Sequence, residues 1–327
     1  MERFLYDRDC NPDWLKNKRI AMIGYGAQGR AQALNLRDSG MDVIIGLYEG
    51  SASRQKAKIE GFTVYNTPQA VSRSDVIMLM VNDEKQPDVY SSDIEPNLRN
   101  NHYIGFSHGF NIHFSRIKPP GYVNVFMVAP KGPGAALRER YVKGGGLPCL
   151  IAVHQDPGKD TERIALAYAS AIGGGRSGII QSSFREETET DLFGEQSVIC
   201  GGISELICAG FDTLVDSGYS PYVAYIECLF EAKAITDLIF EGGISYMRER
   251  ISNTAEFGDY LSGRSVISGN VRKEMKRILK DVQSGDFAAK WAEEYKSGFS
   301  YMKKRRELQK QSLIEKTGES FRQKIKI

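Results

Sequence analysis

The stretch 19-RIAMIGYGAQGRAQALNLRDSG-40 decides the fold. The apolar run Arg19–Ile23 predicts a β-strand, and Ala27–Asp38 has the composition of a helix. Between them, Gly24, Gly26 and Gly29 permit a tight turn through which the backbone can approach a pyrophosphate at a helix N-terminus. An ordinary glycine turn is the alternative. The preceding strand, the following helix and a second strand ending near residue 47 favour dinucleotide binding.

The same alternation of short strands and helices continues to about residue 180. Several strands are continuous apolar runs, as in sheets that are covered on both faces. The predicted strands are Arg19–Ile23, Asp42–Leu47, Val76–Val81, Tyr103–Phe106, Val123–Val128 and Cys149–Val153, with helices such as Ala27–Asp38 and Thr161–Ala171 between them. This order predicts an α/β Rossmann-type domain with a doubly wound parallel sheet.

The pattern changes after a glycine-rich connection at residues 173–178. We place the domain boundary near residue 182, with a Rossmann domain at 1–182 and an all-helical domain at 183–327. The predicted helices of the second domain are Glu186–Ser217, Pro221–Glu241, Asn253–Leu261, Arg272–Gln283, Phe287–Lys296 and Tyr301–Gln311.

Composition narrows the class of protein. The chain has 327 residues, 43 Lys and Arg against 41 Asp and Glu, and a net charge of +2. This balance argues against a nucleic-acid coat or a polybasic membrane binder. Uninterrupted apolar runs fall short of the roughly 18 residues of a membrane span, and residues 1–19 do not read as a signal peptide. Five cysteines without a CxxC pair indicate reduced thiols, so we expect a cytoplasmic protein.

The loop after the second strand, 47-LYEGSASR-54, concerns cofactor choice. Ser51, Ser53 and Arg54 could hold a 2′-phosphate by charge-assisted hydrogen bonds, which favours NADP. Glu49 opposes this, because a carboxylate suits a ribose diol and repels a phosphate. Alternatively, the two serines only cap the next helix.

Charge is segregated in the helical part. From Glu186 through Ala232 there are ten carboxylates and no Lys, Arg or His. Two pairs stand four residues apart among apolar neighbours, Asp191/Glu195 and Glu227/Glu231, and would share a helix face where like charges repel. A hard divalent cation such as Mg²⁺ would resolve this repulsion. A solvated acidic face is the alternative, and it is our interpretation of the remaining carboxylates, at positions 186, 187, 189, 205, 212 and 216.

Two further residues are candidates for the site. His108 comes after Tyr103–Phe106, which places it at the carboxyl edge of the sheet. Lys131, in the segment APKGPG, could reach a phosphate or carboxylate, although no Walker A pattern is present. The other three histidines are expected to be structural.

Five blocks in order carry a family resemblance: FSHGFNIHF (106–114), VAPKGPG (128–134), REETETDLFGEQSVICGG (185–202), AYIECLFEAKAITDLIFEGG (224–243) and ISNTAEFGDY (251–260). With IGYGAQG, the chain resembles short-form (class I) ketol-acid reductoisomerases. The resemblance implies NADPH, two Mg²⁺ ions per site and a 2-hydroxy-3-keto acid substrate, 2-acetolactate or 2-aceto-2-hydroxybutyrate. The implied products are the 2,3-dihydroxy-3-methyl acids of valine and isoleucine synthesis.

The resemblance also implies roles for individual residues. Asp191 would bridge the two ions and Glu195 would complete the first site. Glu227 and Glu231 would come from a partner subunit, so at least a homodimer is expected, and Glu231 would also handle a proton. Ser252 would bind substrate, and His108 would be the active-site histidine. We also expect Lys131 to be catalytic. The implied cofactor positions are Gly24, Tyr25, Gly26, Ala27, Gln28, Gly29, Tyr48, Ser51, Ser53, Asp83, Glu84, Lys85, Gln86 and Gly134.

Two departures from the family pattern bear on the cofactor. Arg30 stands where members commonly have His. Tyr48 stands where they commonly have Arg, so one cationic contact to the 2′-phosphate is missing and use of NADH is also possible. A metal-independent β-hydroxyacid dehydrogenase is the alternative enzyme.

The basic segment 296–327 is interpreted as a solvated helical face rather than a nucleic-acid site, because aromatic stacking partners are few. We therefore expect neither nucleic-acid nor membrane partners.

Overall fold

The computed structural model describes residues 4–325, which fall into two compact units divided between Thr188 and Glu189. The first unit contains a nine-stranded sheet. Its strands are β1 (Phe4–Leu5), β2 (Arg19–Ile23), β3 (Asp42–Gly46), β4 (Thr63–Tyr65), β5 (Val76–Leu79), β6 (Tyr103–Phe106), β7 (Asn124–Pro130), β8 (Cys149–Gln155) and β9 (Ile179–Gln181).

The strands lie in the order β1-β9-β8-β7-β6-β5-β2-β3-β4. The six strands from β7 through β4 are mutually parallel, so their carboxyl ends meet at one edge. The sheet is nevertheless mixed rather than wholly parallel, because β8 runs antiparallel to β7 and β1 antiparallel to β9. The chain leaves β7 at Pro130 and re-enters the sheet at Cys149 opposite it, so β8 begins at the edge where β7 ends.

Helices cover both faces of this sheet, as apolar strands require. The strand residues Met22, Met78 and Phe126 belong to one buried cluster, and Ile23, Ile77 and Met127 belong to another. The helices of this unit are α1 (Asp13–Lys16), α2 (Ala27–Asp38), α3 (Ser53–Ile59), α4 (Thr67–Ser72), α5 (Gln86–Val89), α6 (Phe110–His113), α7 (Gly134–Val142) and α8 (Thr161–Ala171).

Helix α9 (Phe184–Gly194) contains the division between the two units. The second unit continues with α10 (Gly201–Asp216), α11 (Pro221–Tyr225), α12 (Ala232–Arg248), α13 (Asn253–Val266), α14 (Gly269–Ser284), α15 (Asp286–Lys296), α16 (Ser300–Gln311) and α17 (Leu313–Lys324). A Rossmann-type unit followed by a helical unit confirms the predicted fold class.

The two long helices predicted in the acidic segment are each interrupted. A π-helical turn occupies Glu195–Ile199 between α9 and α10, and another occupies Ile226–Phe230 between α11 and α12. The glycine at 201 fits the first turn, because a Cβ there would lie 2.2 Å from the carbonyl oxygen of Gln196. Such turns are frequent at functional sites.

The segment Phe184–Asp216 is long and apolar enough, by length and composition, to cross a membrane, and little of its apolar stretch is buried within one chain. This differs from the sequence-based expectation, in which no uninterrupted apolar run was long enough to span a membrane. A core helix of a soluble protein passes the same test, and here the exposure identifies apolar surface that one chain leaves uncovered.

Candidate functional site

The glycine loop lies at the carboxyl edge of the sheet, directly after β2. Gly24 has φ +111°, and a Cβ there would lie 2.7 Å from the backbone of Met80, so a side chain does not fit. A cavity of about 280 Å³ opens beside this loop. Seven of the predicted cofactor residues line it: Gly24, Tyr25, Gly26, Tyr48, Ser51, Ser53 and Lys85.

A second cavity, of about 390 Å³, lies where α2, α3 and α7 approach one another, and Gly26, Ala27, Ser53 and Gly134 are among its lining residues. Gly134 permits this approach, since a Cβ on it would lie 2.3 Å from the carbonyl oxygen of Ala27. Gln28 links the same elements by donating from Nε2 to the carbonyl oxygen of Gly132, at 2.8 Å. The glycine loop and the segment after β7 therefore form one surface.

Arg54, beside the loop between β3 and α3, contacts the main chain. Arg54 donates from Nη1 to the carbonyl oxygen of Leu47 at 2.7 Å and approaches that of Tyr65 at 3.4 Å, so its guanidinium holds two strand ends. These contacts involve only Nη1, and Arg54 lines neither described cavity, so its role as a phosphate ligand stays a prediction. Ser51 accepts from the backbone N–H of Ser53 at 3.3 Å, yet both serines line the cavity, so capping and cofactor binding are compatible.

In the segment Asp83–Gln86, the side chains of Glu84 and Gln86 form hydrogen bonds with other residues of the chain. Gln86 donates from Nε2 to the carbonyl oxygen of Val81 at 3.0 Å and accepts from Nδ2 of Asn111 at 2.9 Å. Glu84 is buried and accepts from Nδ2 of Asn82 at 3.3 Å. Within this segment, Lys85 is the residue that lines the described cavity.

A buried carboxylate organises the two predicted catalytic residues. Glu187 is 1% exposed and lies 3.0 Å from Nδ1 of His108. It also accepts from Nζ of Lys131 at 2.7 Å and from the backbone N–H of Gly109 at 2.9 Å. His108 and Lys131 follow β6 and β7, so the structure places both at the carboxyl edge, as was predicted for His108.

The protonation of this group follows from its contacts. Burial alone would raise the pKa of Glu187, but the hydrogen bond and charge of His108, together with Lys131, outweigh it and lower the pKa to about 2. An ionised carboxylate only accepts hydrogen bonds, so Nδ1 of His108 carries the proton that faces Glu187. In the neutral ring, Nε2 is then a proton acceptor.

Our interpretation of Glu187 and Glu189 as parts of a solvated acidic face was wrong. Both are buried, and Glu189 accepts from Nε2 of Gln283 at 3.3 Å. Glu187 is also the site residue that sequence reasoning missed. The sequence shows Glu187 only as one of several carboxylates far along the chain from His108 and Lys131, and the fold brings the three together.

The four predicted metal ligands all lie on the helical unit. Asp191 and Glu195 are half-buried, whereas Glu227 and Glu231 are exposed in one chain. Each pair adjoins a π-helical turn, Glu195 beginning the first and Glu231 following the second. Within residues 4–325, no three of these four carboxylates converge as a group of metal ligands in a single chain.

The donor chemistry at Glu195 fits a hard cation. Asp191 and Glu195 provide carboxylate oxygens, the ligands preferred by Mg²⁺. In the turn that Glu195 begins, Nε2 of Gln196 and Oγ of Ser197 are buried without a hydrogen-bond partner among the described residues. Buried polar atoms of this kind require water or a ligand, which suits a hydrated ion nearby. Ser252 is exposed at the N-terminus of α13, where its Oγ accepts from the N–H of Ala255 at 3.2 Å.

Comparison with known proteins agrees with this arrangement. Residues 14–178 match the family described as acetohydroxy acid isomeroreductase, NADPH-binding domain, and residues 184–327 match ketol-acid reductoisomerase, C-terminal domain. An NADH-preferring ketol-acid reductoisomerase from an uncultured archaeon is similar over 99% of this chain and 100% of its own, with 44% identity and a TM-score of 0.97.

More distant structures share only the fold. A semialdehyde dehydrogenase NAD-binding protein from Cupriavidus necator, in complex with calcium and NAD, has 18% identity and a TM-score of 0.62 over 82% of this chain and 99% of its own. Pyrroline carboxylate reductase from Plasmodium falciparum, with NADP bound, has 14% identity and a TM-score of 0.50 over 83% and 98%.

The Rossmann-type unit, its glycine loop and the sheet-edge cavity define a nicotinamide-dependent oxidoreductase. Both family matches and the full-length structural match make the class more specific. The chain belongs to the ketol-acid reductoisomerase family, also called acetohydroxy acid isomeroreductases. This membership favours the reductoisomerase over the alternative β-hydroxyacid dehydrogenase.

Proposed function

We propose that this enzyme converts 2-acetolactate and 2-aceto-2-hydroxybutyrate to 2,3-dihydroxy-3-methyl acids in the cytoplasm. The family assignment gives the reaction class. The observation that carries the proposal is the buried Glu187, which fixes His108 and Lys131 at the edge of the sheet that also holds the cofactor loop.

Two Mg²⁺ ions would be held by Asp191 and Glu195 together with Glu227 and Glu231 of the partner subunit. Four carboxylates supply about as much negative charge as two such ions carry positive charge. When bound, a metal pair of this kind makes a substrate carbonyl electron-poor and stabilises the neighbouring alkoxide. The exposure of Glu227 and Glu231 in one chain supports their use toward a second chain.

The reaction places definite demands on protons. The alkyl group migrates from C2 to C3 once the C2 hydroxyl has lost its proton, which leaves a ketone at C2 and an alkoxide at C3. Nε2 of His108 is suited to accept a proton or to orient a water that does so. Lys131 brings positive charge to the same edge, where it can hold the substrate carboxylate, and Ser252 would offer its hydroxyl.

Reduction then needs a hydride at C2 and a proton on its oxygen. The cofactor lies along the glycine loop in this proposal, so its nicotinamide reaches the carboxyl edge of the parallel strands. Glu231 of the partner subunit is proposed to relay a proton to the C2 oxygen, and the C3 alkoxide regains the proton that the C2 hydroxyl lost.

Both NADPH and NADH are proposed as cofactors. Ser51 and Ser53 line the cavity and can bind a 2′-phosphate, which favours NADPH. Tyr48 is 68% exposed and carries no charge, so position 48 provides no positive charge for a 2′-phosphate. Preference for the phosphorylated cofactor should therefore be small.

The decisive experiment is acetolactate-dependent oxidation of NADPH and NADH in parallel, with Mg²⁺ and with EDTA. We expect turnover with Mg²⁺, complete loss in EDTA and recovery when Mg²⁺ is restored. Asp191→Asn should lose turnover while NADPH binding is largely kept. Activity that survives EDTA, or near-normal turnover of Asp191→Asn, would show that the proposed metal role is wrong.

A further inference from the structure

Three cations line the second cavity, at the junction of α2, α3 and α7: Arg30, Lys56 and Arg138. Two of them are already neutralised. Arg30 makes an ion pair with Glu60, with Nη2 and Oε1 2.5 Å apart. Arg138 donates to Asp38 at 2.6 Å.

Both carboxylate oxygens of Glu60 already accept hydrogen bonds. Besides Arg30, it accepts from the hydroxyl of Tyr25 at 2.6 Å, and the hydrogen bond from Arg30 is the largest cause that lowers its pKa. Tyr25 belongs to the glycine loop, so this network also fixes the loop. A second cation therefore gains little by turning toward Glu60.

Lys56 is the third cation, and unlike Arg30 and Arg138 it is not neutralised by a carboxylate within residues 4–325. Its ammonium group makes no hydrogen bond or ion pair with another described residue, although its charge contributes slightly to lowering the pKa of Glu60. It is exposed and lines the same cavity as Ser53, Gly26 and Gly134. An ammonium beside a hydroxyl and open backbone N–H groups is a favourable place for a phosphate.

We propose that Lys56 binds a phosphate group of the dinucleotide cofactor, and that it also determines cofactor specificity if this group is the 2′-phosphate. This inference rests on the proposed cofactor use and adds a cation near the cofactor where Tyr48 provides none. Two phosphate groups could be the partner. The 2′-phosphate occurs only in NADP, whereas the diphosphate occurs in both cofactors.

The test is direct binding of NADPH and NADH, followed by their fluorescence, to the full chain without substrate. Lys56→Met keeps the apolar stem but removes the charge, and should weaken binding of the contacted cofactor by about tenfold. Lys58→Met is the matched control, since Lys58 is exposed on the same helix and lines neither described cavity. Lys56→Arg retains the charge and should bind nearly as the wild type does.

The outcomes separate the two phosphate groups. Weaker binding of NADPH alone supports contact with the 2′-phosphate, and equal weakening of both cofactors supports contact with the diphosphate. Unchanged binding of both overturns the proposal. If the wild-type chain binds cofactor but does not turn over acetolactate, the proposed function fails, whereas the effect of Lys56→Met on binding still decides the role of Lys56.

Discussion

Glu187 shows how one buried charge can organise a site. A carboxylate that is 1% exposed is costly unless every oxygen is satisfied, and here an imidazole, an ammonium and a backbone N–H share it. The benefit is orientation, since Nδ1 of His108 is fixed by its carboxylate partner and the ring cannot turn freely. We therefore interpret Glu187 as a positioning residue that acts through His108 and Lys131.

Replacing Glu187 by Gln should remove this orientation without changing side-chain size. We expect kcat with acetolactate to fall by about 10- to 100-fold, because an amide can donate toward Nδ1 and favours the wrong tautomer. NADPH affinity should stay close to that of the wild type. Glu186→Gln is the control, because Glu186 is exposed on the same helix. Equal kcat values for the two variants would contradict the positioning role.

His102 makes a different prediction, for stability. Burial, with Arg99 nearby, lowers its pKa from 6.5 to about 4. Between these pH values the unfolded chain binds more protons than the folded chain, so the free energy of unfolding decreases as pH falls. This residue alone should cost about 2 kcal/mol between pH 7 and pH 5.

Urea unfolding at pH 7, 6 and 5 tests this effect. His102→Asn keeps an acceptor for the N–H of Arg99, which now bonds Nδ1 at 3.3 Å, but it does not titrate in this range. The stability of the variant should therefore fall less steeply with decreasing pH. Parallel curves for wild type and variant would show that His102 is not the responsible group.

At the scale of elements, local sequence patterns were sufficient to predict most strands and helices of the Rossmann-type unit. The predicted bounds of β2, β6, α2 and α8 coincide with those observed, since each is a continuous apolar run or a strongly helical segment with clear ends. The three-residue strand β4 was missed because it is too short to show a period and is defined by pairing with β3.

The helical unit was harder to predict. Helix α17 was interpreted with the basic segment 296–327 as a solvated face, yet Ile314 and Phe321 are buried in the core with Phe211 and Tyr225. Helix α17 has few apolar residues, and they are separated by charged ones. The sequence pattern therefore does not show that this helix is buried, and its burial depends on tertiary packing. The two π-helical turns were also missed. Each adds one residue to a helical turn, and this is too small a change to alter the helical pattern of apolar residues.

The loop between β3 and α3 carries the prediction about the cofactor. Tyr48→Arg introduces a cation beside Ser51 and Ser53 in the same cavity. The preference for NADPH over NADH in kcat/KM should rise by about tenfold, as one charge-assisted hydrogen bond would give. Tyr48→Gln adds a polar group without charge and serves as the control. An unchanged ratio in Tyr48→Arg would place position 48 away from the 2′-phosphate.

At the scale of the whole molecule, the helical unit leaves unusual apolar surface on one chain. Large side chains that are more than half exposed occur on several of its helices, among them Leu206, Phe240, Phe257 and Leu261. Surfaces of this kind indicate an interface. The most economical occupant is a second copy of the chain, whose Glu227 and Glu231 would then complete the proposed metal site.

Leu206→Glu tests this assembly, because a charge buried in a dimer interface opposes association. Leu206 is 52% exposed within one chain, so the chain itself should tolerate the change. Light scattering should give a dimer or larger assembly for the wild type and a monomer for the variant, with acetolactate turnover lost and NADPH binding retained. Val142→Glu is the control, since Val142 is 66% exposed on α7 of the Rossmann-type unit and should change neither mass nor activity. A wild-type monomer with full activity would contradict the shared site, because one chain alone would then supply every metal ligand.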